Sequence, residues 1–131
     1  MSLPTKELLM NPIFSGIFTF TAHLWSHDGG ESDHPLPEHL ALQGVVQALR
    51  AQLDARSAQV CTWNAAGERV TWGISINWVG GGGTSYHEMS PMDAERVWTR
   101  NCSKLDVTSI EITRWEGGRR LDTIRRAALA A

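Results

Sequence analysis

Between Val70 and Trp78 the chain reads Val-Thr-Trp-Gly-Ile-Ser-Ile-Asn-Trp, apolar at every even position and small or polar at every odd one. Side chains on a strand point alternately to opposite faces, so this segment predicts a β-strand with one face in a core and the other uncovered. A strand buried on both faces would not place Thr71, Gly73, Ser75 and Asn77 on one side.

The same reading extends along the chain. Thr5–Met10 fits one helical turn, stopped by Pro12. A first strand is expected over 13–25, with Phe18, Phe20, Ala22 and Leu24 on one side and Thr19, Thr21, His23 and Trp25 on the other. The polar stretch 26–36, holding Gly29, Gly30 and Pro35, is expected as a loop. A helix is predicted from Pro37 to about Arg56, because Leu42, Val45, Val46, Leu49 and Leu53 recur at spacings of three and four. A second strand over 59–64 leads into a hairpin loop, Asn64–Glu68, and then into the 70–78 strand.

Gly80–Gly83 interrupts this pattern, and the run to His87 is expected as a flexible loop or lid. Ser90 then fits a helix N-cap, with Pro91 in the first position and Asp93 near the positive end of the dipole. Its apolar stripe is Ala94, Val97, Trp98, Cys102 and Leu105. A fourth strand covers 107–115, and after Gly117-Gly118 the spacing of Leu121, Ile124 and Ala128 fits a closing helix.

The order strand-helix-strand-strand-helix-strand predicts an α+β fold in two layers. An antiparallel sheet would carry both helices on one face in the split βαβ (ferredoxin-like) arrangement, plus a C-terminal helix. Its first and third strands would be central, its core would hold Phe18, Phe20, Trp72, Ile74, Ile76, Ile110 and Ile112, and the histidine loop and the glycine run would lie at opposite ends. The 131 residues fit one domain, with 1–12 and 117–131 peripheral.

Composition narrows the class. A hydrophobic fraction of 42% with 20% charged residues is that of a globular chain, not a disordered one. Residues 1–113 carry 7 basic and 12 acidic side chains, whereas 114–131 carry five arginines against Glu116 and Asp122. An acidic body of this kind would steer towards a basic partner. Cys61 and Cys102 form no Cys-x-x-Cys motif and read as small buried thiols of a reducing compartment. Without an 18-residue apolar run or a signal-like start, the expected location is cytoplasmic, off the membrane.

Chemistry-bearing motifs are few. His23-x-x-x-His27-Asp28, Asp33-His34 and His39 gather imidazoles and carboxylates of the kind that bind metal, but at no recognised ligand spacing, and a polar loop explains them as well. The glycine run lacks a nearby lysine and ends well before Ser90, which disfavours a phosphate cradle. No Gly-x-Ser-x-Gly elbow is present and no basic residue adjoins Cys61. His23 and Glu111, if both face outward, form the one candidate acid/base pair. No cofactor and no catalytic residue is assigned.

The uncovered sheet face is the candidate binding surface: Thr19, Thr21, His23 and Trp25 on the first strand, Thr71, Ser75 and Asn77 on the third, Glu111, Thr113 and Trp115 on the fourth. It lacks the mid-strand aromatics and basic surround of RNA-binding sheets, so nucleic acid is disfavoured there and remains an option only for the arginine tail. The expectation is a small cytoplasmic binding protein without catalytic activity, an inhibitor, immunity-type or adaptor protein with a basic protein partner or a second copy of itself. The alternative is a small enzyme or a ligand- or metal-binding domain using the same face and the His23–His39 loop.

Overall fold

The computed structural model describes residues 12–127. The elements in chain order are β1 (Thr19–Trp25), β2 (Glu31–Leu36), α1 (Gln43–Gln52), β3 (Ser57–Trp63), β4 (Arg69–Trp78), β5 (Gly83–Met89), α2 (Pro91–Asn101), β6 (Val107–Glu116) and β7 (Arg119–Ala127). Short 3-10 turns occupy Pro12–Phe14 and Glu38–Leu40. The expected N-terminal turn at Thr5–Met10 and the position of Ala128 lie outside the described residues.

The alternation at 70–78 holds: Val70, Trp72, Ile74 and Ile76 are each no more than 1% exposed. Ser75 and Asn77 are open, and Thr71 and Gly73 half-buried, on the opposite face. The expected α+β ferredoxin-like arrangement is nevertheless overturned. The molecule is mostly β, one seven-stranded antiparallel sheet in the order β2-β1-β3-β4-β6-β7, with β5 also paired to β4 and only two α-helices among the described residues.

Three segments account for the difference. The supposed loop 26–36 contains β2, the supposed lid contains β5, and the expected C-terminal helix is β7. All three pair along only one edge and carry little apolar side-chain area, so their alternation is weak. β7 follows a two-residue turn in which Gly117 and Gly118 both take positive φ, +58° and +80°, the geometry a tight hairpin needs and a helix does not. The first strand begins only at Thr19, and the helix expected from Pro37 to Arg56 shortens to Gln43–Gln52 behind a 3-10 turn. Leu53 and Leu105, expected on apolar stripes, are 50% and 75% exposed. β1 and β4 are both antiparallel to β3 and so run the same way, which brings the 26–30 turn and the glycine run to one end of the sheet rather than to opposite ends.

The topology contains a repeat that the sequence does not display. A hairpin (β1–β2), a helix (α1) and a strand returning to the other edge of the hairpin's first strand (β3) form one unit. β4–β5, α2 and β6 form a second of the same order, which β7 extends. Each unit has its own core. Phe20, Ala22, Leu24, Val46, Ala58 and Val60 pack in the first. Trp72, Ile74, Ile76, Ala94, Trp98, Ile110 and Ile112 pack in the second, and Phe18 touches both.

Joined side by side, the two units compete for one strand edge. β3 pairs with β4 only at Thr62–Val70 and Trp63–Arg69, and from Trp72 to Asn77 that edge belongs to β5. Beyond Thr62, β3 therefore diverges from the sheet with a backbone edge to satisfy. Gln43 supplies the missing neighbour. Its Nε2 donates to Ala58 O at 3.0 Å and its Oε1 accepts from Val60 N at 3.1 Å, as a flanking strand would, while Gln47 Nε2 also donates to Ala58 O at 3.1 Å. Asp93 Oδ2, in the first turn of α2, accepts the Gln43 backbone N–H at 2.8 Å and so ties the two helix starts together.

The second core centres on Trp72. Phe18 meets it edge-on with ring centroids 5.6 Å apart, and its indole N–H donates to Ile13 O at 2.9 Å. Arg114, 5.3 Å from the Trp72 ring and 5.1 Å from Phe18, is ion-paired to Glu116 at 3.0 Å and donates to Ser15 O at 2.7 Å. Gln43→Ala removes the substitute for a strand without touching either apolar core, yet strands a backbone donor. It is expected to cost about 1–3 kcal/mol in urea unfolding and to speed hydrogen exchange selectively at Val60.

Candidate functional site

The register puts all ten proposed surface residues on the face away from the helices. Thr71 lies opposite Trp115, Gly73 opposite Thr113 and Ser75 opposite Glu111, so β4 and β6 build one hydroxyl-rich patch. Thr19, Thr21, His23 and Trp25 build a second on β1, and β3 runs between the two with Cys61 opposite Thr21 and Gln59 opposite His23. The ten residues therefore form two patches rather than one continuous surface. His23 and Glu111 are three strands apart, at least about 14 Å, which rules out the acid/base pair.

His23 is instead fixed by β2, which the sequence did not identify as a strand. Its Nδ1–H donates to Asp33 at 2.8 Å and its Nε2–H to Glu31 at 2.8 Å. Ionised carboxylates only accept, so this clamp favours the ring with both nitrogens protonated. The hydrogen bonds to Asp33 and then Glu31 raise its pKa above the ordinary 6.5. The ring in turn meets Trp25 edge-on at 4.4 Å between centroids, which orients that indole at the end of the strand.

The other histidines do not join it. His27 lies 3.6 Å from Asp54, His34 interacts with Ser32 at 3.1 Å, and His39 sits exposed in the second 3-10 turn. Glu31 and Asp33 bind opposite sides of the His23 ring rather than a common point. Among the described residues no three His, Cys, Asp or Glu side chains converge to hold a metal ion.

Three of the six tryptophans face outward. Trp63 donates from its indole N–H to Thr21 Oγ1 at 3.0 Å and carries the Arg69 guanidinium 6.0 Å from its ring; Trp25 and Trp115 complete the set. Cys61 is buried on this same side, 4% exposed, and burial pushes its thiol pKa up. A protonated, enclosed thiol is no nucleophile.

A half-open concavity of about 520 Å³ lies at the fork where β3 and β5 part. Trp25 and Gln59 stand on the β3 side, Tyr86, His87 and Glu88 on the β5 side, and Asp93 and Val97 of α2 below. Gln59 Nε2 spans it, donating to Glu88 Oε2 at 3.1 Å. His87 and Glu88 are placed there by a bulge: the register shifts between Trp72–Met89 and Ile74–Tyr86, so both residues stand opposite Gly73, and Glu88 takes φ +53°. The sequence pattern predicts a loop over this segment, whereas the fork depends on the pairing of β5 with β4.

No known family, curated protein or solved structure matches this chain. No helix among the described residues is long and apolar enough to cross a membrane.

The His23 clamp makes a titration prediction. Folding favours the protonated ring, so its contribution to stability is complete below about pH 6.5 and disappears as the pH rises through the higher folded value. In an NMR titration of the folded chain His23 should titrate above 6.5, and Asp33→Asn should bring it down towards that value.

Proposed function

We propose that the chain is a protein-binding module that acts through the outer sheet face, without catalysis of its own, as an inhibitor, immunity-type or adaptor protein. The observation that carries this reading is the uncovered β4–β6 patch. Ser75 and Asn77 are open, Thr71 and Thr113 are half-buried, and Trp115 is 40% exposed beside them. Flat surfaces of hydroxyls with a peripheral indole suit a macromolecular partner better than a small substrate, which needs a concave site.

Charge supports a polar orientation of that partner. Glu31 and Asp33 lie on the outer face at the β2 end, whereas Arg119, Arg120 and Arg125 belong to β7 at the other. A partner with a basic surface would be steered to the acidic end and turned by the arginines. Cytoplasmic action is part of the proposal, in keeping with two free thiols.

Ser75→Arg with Asn77→Arg tests the face directly. Both positions are exposed, so thermal stability should change by no more than about 0.5 kcal/mol. A protein captured from the host by the wild-type chain should be lost by this variant. Capture should also weaken as salt approaches 1 M, where the Debye length falls to about 3 Å. A partner retained by the double variant would refute the face as the contact.

A further inference from the structure

Protein binding at the outer face leaves the fork between β3 and β5 without a role, although it opens beside that face. Two carboxylates reach it, and neither is ion-paired among the described residues. Glu88 accepts from Gln59 through Oε2, and Asp93 accepts from Gln43 N and Ser90 Oγ through Oδ2. In each case the second oxygen has no described hydrogen-bond donor. No lysine or arginine contributes to the lining.

The rest of the fork has the complementary parts for a long cation. Trp25, held by the clamped His23 ring, and Tyr86, 37% exposed, offer aromatic surface. Ala58, Val60, Met89 and Val97 offer an apolar wall for an aliphatic stem. Glu88 is presented by a bulge in a left-handed conformation that non-glycine residues seldom take, a strain tolerated where a side chain must be aimed. A guanidinium is planar, stacks on aromatic rings and pairs with carboxylates through several donors, and its propyl stem lies readily along apolar surface. A neutral or anionic group would gain no attraction from either carboxylate.

We propose that the fork is the seat of an arginine side chain carried by the protein partner. This rests on protein binding as the function and adds the chemistry of its anchoring contact. The source is a protein rather than a free metabolite because Trp25 and Gln59 belong to both the fork and the face the partner would cover.

The test titrates the full chain with acetyl-Gly-Arg-Gly-amide at low salt and follows amide shifts by NMR. Saturable shifts are expected at Gln59, Glu88 and Met89. The same peptide with citrulline, which keeps the shape and loses the charge, should bind roughly tenfold more weakly. Glu88→Gln preserves the hydrogen bond from Gln59 and should weaken the arginine peptide by a similar factor; Tyr86→Leu should weaken it severalfold. Absence of saturable shifts at the fork, equal affinity for citrulline, or unchanged affinity in both variants would overturn the proposal. The titration needs no partner. A partner lost by Ser75→Arg/Asn77→Arg without arginine binding sinks this inference alone, whereas arginine binding with the partner retained by that double variant sinks the face reading alone.

Discussion

One edge of β4 has to serve two strands. β3 arrives through the Asn64–Glu68 hairpin and holds two positions, and β5 arrives from the glycine turn and takes the rest. Because an edge offers each backbone group one partner, every residue gained by β5 is one lost to β3. The divergence of β3, the recruitment of Gln43 as a stand-in neighbour and the opening of the fork all follow from that division. So does the separation of the cores, each beneath its own unit, with Phe18 and the Asp93–Gln43 contact as links between them.

The same division shapes the outer surface. Had β3 paired along the whole of β4, the β1 and β4–β6 patches would have merged into one flat polar face. Instead the face is broken by a cleft lined by Trp25 and Glu88, so the proposed partner would meet a plane and a socket together. Flat contact contributes complementarity, while buried anchors in sockets dominate the energetics of most interfaces. The bulge at His87 and Glu88 matters for this reason: without the extra residue, Glu88 would fall back into the simple alternation of β5 and point elsewhere.

Much of the partition between inside and outside was legible in the sequence, because it depends on period-two alternation alone. Trp72, Ile74, Ile76, Ile110 and Ile112 were assignable to the core, Ser75 and Asn77 to the open side, and Ser90-Pro91 to a helix start. β2, β5 and β7 were not legible as strands. At an edge a strand is covered on one flank only, so residues such as Ser32, His34 and Arg126 can sit on the inner side without a penalty that would exclude them. Gly117-Gly118 was a usable hairpin signal that helical spacing of Leu121 and Ile124 obscured. The fork and the His23 clamp were out of reach for a different reason: both arise from contacts between strands, Glu31 with His23 and Gln59 with Glu88, that no local pattern specifies.

Cys61 gives this architecture a built-in sentinel. Its sulfur lies enclosed on the outer side of the strand that parts from β4, with its proton retained by burial. A thiol reagent in the surrounding solution reaches it only when its cover on that side moves away, so alkylation kinetics would register local opening around β3. A molecule lying across that outer side would add to the cover and slow the reaction, and the chain would thereby announce its own occupancy chemically.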